Sequence, residues 1–185
     1  MTPATPFPRT LASASAGDEH ALAELYRSLA PAVIGYLRGQ GAAEPEDVAS
    51  EVFVSLVRGL PGFEGDEEGF RAWVFTIAHR RLIDERRRLA RRLEDPVDPG
   101  DLPVTPLDVV NAEDEALARL EGAWMLTRVQ DLTPAQRDVI LLRVVADLSV
   151  DRVAAILGKE PGAVKMLQRR GLARLARTIV PDPVT

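Results

Sequence analysis

The 185-residue chain carries no cysteine, two histidines, 46% hydrophobic and 5% aromatic residues, and a formal net charge of −5. That composition excludes disulfides, Cys-ligated zinc and thiol catalysis, and His20 and His79 stand too far apart in sequence to predict a histidine-built metal or catalytic site. No apolar run approaches the roughly 20 residues of a membrane helix, and the first residues lack a signal peptide's basic start and apolar stretch, so a cytoplasmic protein without membrane insertion is expected.

In chain order, residues 1–17 are rich in Pro, Ala, Ser and Thr and read as a disordered tail. From Asp18, Ala21, Leu22, Leu25, Leu29, Val33 and Leu37 recur at helical spacing, with Pro31 as a possible kink and Gly39 and Gly41 as the stop. A second helix is predicted from Pro45 to Leu60, with Val48, Val52, Leu56 and Leu60 on one face and Glu46, Asp47, Ser50 and Glu51 opposite. Pro61–Gly69, with three glycines, reads as a loop. A longer helix follows from Phe70 to Leu93, with Trp73, Ile77 and Leu82 inward. Residues 94–111 hold four prolines and no clear period, which marks a linker. Helices resume over 112–130 and from Thr133-Pro134, an N-cap followed by a first-turn proline, to about Ala146. No segment alternates with a strand's period. The pattern therefore predicts an all-α protein of two small helical domains, 18–93 and 112–178, joined by an extended acidic linker and closed by a tail at 179–185.

Ser149–Arg177 carries the sharpest motif. Ala154 is small where two helices cross, Gly158 suits a turn needing positive φ, and Val164 opens the apolar face of a second helix. The other face of that helix holds Lys165, Gln168, Arg169 and Arg170, residue types suited to a major groove. This is a helix-turn-helix, and the plainer reading is an ordinary helical hairpin with a solvated basic face. Which side chain meets a base and which a phosphate is not legible in sequence.

The net charge resolves into blocks. Asp18–Glu68 has eleven acids against three arginines, Phe70–Leu93 has eight arginines against Asp84 and Glu85, and Glu94–Glu115 has eight acids and no base. Gly158–Thr178 then carries six basic residues against Glu160. Blocks of opposite sign predict separate faces for separate partners. In the arginine-rich helix, Asp84 and Glu85 cannot neutralise Arg80, Arg81, Arg87, Arg88, Arg91 and Arg92, and surplus charge of this kind favours phosphates. Phe70, Trp73 and Phe75 upstream suit unstacked bases, or else are simply core. The acidic face of the second helix either faces water or docks a basic protein surface. There is no P-loop, Gly-x-Ser-x-Gly, His-Glu-x-x-His or dinucleotide fingerprint, so a non-enzyme without cofactor or metal is expected.

Three stretches, Glu46–Leu60 (EDVASEVFVSLVRGL), Phe70–Arg88 (FRAWVFTIAHRRLIDERRR) and Leu132–Leu175, resemble in order and spacing the extracytoplasmic-function (ECF) sigma factors of bacterial RNA polymerase. The resemblance covers about Asp18–Arg177, as region 2, linker and region 4. It implies a factor that directs core polymerase to promoters and helps to open them. It puts Asp47, Ser50, Glu51 and Phe53 on the β′ clamp helices. Phe63, Arg71, Trp73, Arg80, Arg81, Arg87 and Arg88 fall in minus-ten capture and melting. Lys165, Met166, Gln168, Arg169 and Arg170 fall in minus-thirty-five reading, by a domain that also touches the β flap. It further implies control by an anti-sigma factor, and a linker that threads the polymerase cleft. The chain departs from the family at Arg80, where many members have Asn, and at Met166 and Leu167, where Ser and Arg are frequent. The rival readings are a stand-alone helix-turn-helix regulator of duplex DNA and a decoy that binds polymerase but not promoters.

Overall fold

A computed structural model describes residues 7–94 and 127–179, and every regular element among them is helical. The predicted linker beyond Glu94, the helix over 112–126 and the last residues from 180 lie outside the described residues. None of the described helices is long and apolar enough to cross a membrane.

The first element corrects the sequence reading. Phe7–Ser15 is a helix, α1, where a disordered tail was expected. Phe7, Leu11 and Ala14 repeat at i, i+4 and i+7 and turn inward; Pro8 sits in the first turn, where its missing N–H costs nothing. Phe7 packs on Phe70 at a ring-centroid distance of 5.4 Å. Composition pointed to disorder because so short a helix is stable only against a partner.

Helix α2, Glu19–Gly39, starts at Asp18, whose carboxylate accepts from the Ala21 amide at 2.8 Å. It runs through Pro31, which stands on the exposed side. Gly41, at φ +75°, turns the chain into α3, Pro45–Gly59. Leu60–Gly62 forms a single 3₁₀ turn. Helix α4, Glu67–Glu94, starts three residues before the expected Phe70. The Asp66 carboxylate accepts from the Gly69 amide at 2.7 Å, and Glu67 and Glu68 lie at the positive end of the helix dipole. The buried stripe Phe70, Val74, Phe75, Ala78 and Leu82 seats α4 against α2 and α3, whose Val33, Leu37, Val52 and Leu56 close the core.

In the C-terminal unit, residues 127–130 are helical and lead to α5, Pro134–Val144. Thr133 and Gln136 cap α5 reciprocally, each side chain bonding the other's backbone amide. Helix α6, Val150–Leu157, starts at Ser149 and ends at Gly158, whose left-handed φ +60° and ψ +40° turn the chain into α7, Pro161–Ile179. The Lys159 amide donates back to Ala154 O at 2.9 Å, closing the turn predicted from Gly158. Val153, Ala154 and Val164 are buried between the two helices. Gly171 lets α7 approach α5, since a Cβ there would stand 2.9 Å from Ile140 Cγ1.

Thr133→Ala removes one half of a reciprocal cap and is expected to destabilise the protein by about 1 kcal/mol, while Thr133→Ser retains most of it. Urea denaturation followed by circular dichroism measures this; an unchanged midpoint in Thr133→Ala contradicts the role given to the cap.

Candidate nucleic-acid interface

Beyond its buried stripe, α4 presents two further faces, and the predicted site residues divide between them. Toward α6 lie Trp73, Thr76, His79 and Arg80, which line a cleft of about 320 Å³ closed on the other side by Arg152, Ala155 and Ile156. Toward α3 lie Arg81 and Arg88, both paired with Glu51, at 3.4 and 3.8 Å. The Arg81 guanidinium also donates to Ser55 Oγ at 2.8 Å. Arg87 pairs with Asp84 at 3.8 Å, and Arg71 is half-buried near the start of the helix. The arginines expected to act as one basic stripe are thus split. Side chains as exposed as Glu51 and Arg88 (44% and 54%) gain under about 1 kcal/mol from pairing. Such pairs can exchange for a phosphate or a partner's side chain at little cost.

The aromatic group is more firmly built. Phe63, on the loop before α4, stacks on Trp73 at 5.1 Å and 21° and meets Phe70 edge-on at 5.2 Å. Phe70 and Phe75 are fully buried, which settles them as core, whereas Trp73 and Phe63 are half-buried. Each such ring pair adds roughly 0.5–1.5 kcal/mol beyond area burial. Gly59 makes room for the indole: a Cβ there would stand 2.7 Å from Trp73 Cζ2.

Behind the cleft, Tyr36 Oη lies 2.8 Å from His79 Nδ1. Burial raises the Tyr36 phenol well above its ordinary value, helped by the Asp138 carboxylate. Burial likewise lowers His79, against the opposing pull of Asp138. Both groups are therefore neutral at pH 7, and a hydrogen bond joins the phenol to the ring nitrogen.

On α3, Asp47 and Ser50 are exposed and share a stripe with Glu51, while Phe53 flanks it and meets Tyr26 of α2 at 4.6 Å. Sequence reasoning missed Val54 and Val57, which are about half exposed on the outer side of α3. Their signal was legible, since both fall off the buried Val48–Val52–Leu56 register. On α7, Lys165, Met166, Arg169 and Arg170 are exposed together, opposite Val164 and Gly171. Gln168 differs: it is half-buried on the flank toward α5, where its amide oxygen accepts from Arg143 Nε at 3.3 Å.

Residues 25–92 match Sigma-70 region 2, and residues 123–175 match Sigma-70, region 4. The ECF RNA polymerase sigma factor ShbA of Streptomyces griseus is 32% identical over 167 residues, covering 86% of this chain and 87% of ShbA. The chain belongs to the ECF RNA polymerase sigma factors. SigD of Mycobacterium tuberculosis, an ECF sigma factor too, is 32% identical over 177 residues, 92% of this chain and 82% of SigD. The sigma factor CnrH of Cupriavidus metallidurans is 29% identical over 178 residues, 92% of this chain and 93% of CnrH. A solved structure of CnrH in complex with the cytosolic domain of CnrY has a TM-score of 0.63 at 25% identity, covering 92% of this chain and 94% of that one. This sigma factor directs core RNA polymerase to promoters; a stand-alone duplex-binding regulator is not favoured.

Two outcomes follow from the site's geometry. Gly59→Ala is expected to displace the indole of Trp73 and cost about 1 kcal/mol through overpacking. In a Trp124→Phe background, a shifted Trp73 emission with a lowered melting temperature bears this out, and unchanged emission contradicts it. His79 is held below its ordinary 6.5, so the unfolded chain takes up a proton first as the pH falls. Its contribution to stability is then complete above pH 6.5 and declines below it. His79→Gln should flatten that slope in denaturation midpoints measured from pH 7.5 down to about pH 5.5; equal slopes in the two proteins contradict the assignment.

Proposed function

We propose that the sigma factor divides its task among three surfaces. Trp73 and Arg80, with Phe63 and Arg71 nearby, form the surface that takes unstacked bases of the minus-ten element. Aromatic planes beside guanidinium groups suit single strands because every base has a π-face. Lys165, Met166, Arg169 and Arg170 form the face that enters the duplex at the minus-thirty-five element, with Gln168 positioned through Arg143 at its flank. Asp47, Ser50 and Glu51, flanked by Phe53, form the face that docks on the β′ clamp helices, and the C-terminal domain also meets the β flap. Arg81 and Arg88, tied to Glu51, border the polymerase face, while Arg87 extends the basic side of α4 toward backbone phosphates.

The observation that carries this reading is the split of α4. A single helix turns an aromatic–arginine face one way and an arginine face, bound to the acidic helix, the other. The sigma factor contributes binding and base capture in the cytoplasm, and the bond-forming chemistry belongs to the polymerase. An anti-sigma factor that covers these faces is the further partner implied by the family.

Run-off transcription with core enzyme on a promoter library tests the reading. Transcription that depends on the added chain is expected, and no stimulation contradicts it. Arg169→Glu with Arg170→Glu should cut output about tenfold or more by losing duplex contacts. Asp47→Lys with Glu51→Lys should instead lose co-purification with core polymerase, and equal behaviour of the two double variants would contradict the division of labour.

A further inference from the structure

The loop between the 3₁₀ turn and α4 brings Phe63 onto Trp73, and helix α1 touches both of its ends. At the entry, Leu60 O accepts from the Phe63 amide at 3.1 Å, which closes the 3₁₀ turn. The Ser15 hydroxyl of α1 reaches the same oxygen at 3.4 Å. At the exit, Phe70 is 1% exposed and its ring is where the other aromatic side chains meet. Phe7 of α1 lies against it at 5.4 Å, Phe63 at 5.2 Å and Trp73 at 5.8 Å. Phe63 also folds back over Gly65, where a Cβ would stand 2.9 Å from its Cζ.

Helix α1 is itself anchored away from the loop. It packs along α2, Ala14 is buried, and the turn Ala16–Asp18 joins the two helices. Gly17 at φ +89° shapes that turn, in which the Asp18 amide donates to Ser13 O at 3.0 Å. The loop, by contrast, has little of its own to hold it, since Glu64, Gly65 and Asp66 are all exposed. A loop of this kind takes its geometry from the scaffold at its ends. Further along α4, Val74, Phe75, Ala78 and Leu82 are seated against α2 and α3, so what α1 adds falls on the loop ends.

We propose that α1 is a splint for base selection. Phe7 and Ser15 are positioning residues: they hold Phe70 and Leu60, and so set where Phe63 and Trp73 meet an unstacked base of the minus-ten element. The inference rests on the function proposed above for that aromatic face. Ring pairs favour tilted and offset contacts over a limited range of geometry, so a shift of Phe70 passes to both rings that it meets beyond Phe7. A recognition site must be held to about 0.5 Å if it is to act on its ligand productively. Loss of the Phe7 ring leaves a gap beside Phe70 and frees it to turn, and discrimination among bases falls before polymerase binding does.

Run-off transcription with core enzyme tests this on templates whose minus-ten element is randomised and linked to a transcribed barcode. Phe7→Ala should lower the preference for the best base over the others about threefold or more, and Ser15→Ala should lower it by less. Phe7→Tyr keeps the ring and should retain the preference of the unsubstituted protein. Preference at a randomised minus-thirty-five element should be unchanged in all three. A helix that served stability alone would instead lower output from every template alike, and that result overturns the splint. In a Trp124→Phe background, Phe7→Ala should also shift the emission of Trp73, and unmoved emission counts against the splint. Where circular dichroism shows Phe7→Ala unfolded, Ser15→Ala, which removes a single hydroxyl, decides the matter. Minus-ten preference unchanged in the folded variants, while Trp73→Ala alters it, overturns the splint alone. Preference that Trp73→Ala also leaves unmoved refutes the function of the aromatic face, and the splint with it.

Discussion

Helix α4 is held by one narrow stripe of side chains, and everything else it does follows from how little of its surface that stripe consumes. Phe70, Val74, Phe75, Ala78 and Leu82 are buried against α2 and α3, each within a few per cent of complete burial. At 3.6 residues per turn such a stripe occupies about a third of the circumference. The remaining sides of a 28-residue helix are free for other work. They turn Trp73 and Arg80 toward α6, and Arg81 and Arg88 toward the acids of α3. The apolar stripe fixes the rotation of the helix, and that rotation decides which neighbouring helix Arg80, Arg81 and Arg88 face. The exposed ion pairs contribute too little to set the rotation themselves.

Charge is distributed for several partners. A net charge of −5 would repel a polyanion if it were spread evenly, but the acids and bases lie in separate blocks along the chain. The basic row of α7 lies opposite its buried side, and the acids of α3 form the other pole.

Much of this organisation was legible in local chemistry. Thr133-Pro134, Ser149, Gly158 and Pro161 signal helix ends through their own backbone needs, so the helix-turn-helix boundaries follow from those residues themselves. The periodicity of Val48, Val52 and Leu56 located α3 in the same way. What escaped depends on residues distant in sequence. Helix α1 exists because Phe7 meets Phe70, and no local rule links positions that far apart. The start of α4 escaped because three nearby glycines outweighed the Asp66 cap. Of the candidate site, the exposed row of α7 and the acidic stripe of α3 were readable from helical spacing. The separation of Arg80 from Arg81 and Arg88, and the engagement of Gln168 by Arg143, were not. Both depend on which neighbour lies across a helix, which periodicity alone does not identify.

In the proposed division of labour, the Trp73–Arg80 face converts promoter binding into promoter opening. Permanganate reactivity of thymines in the minus-ten element reports unstacking directly, in a complex of core polymerase, the sigma factor and promoter duplex. Trp73→Ala with Arg80→Ala should leave the complex intact by gel shift while those thymines stay unreactive, in contrast to the unsubstituted protein. Thymines that react equally with both proteins would contradict the account.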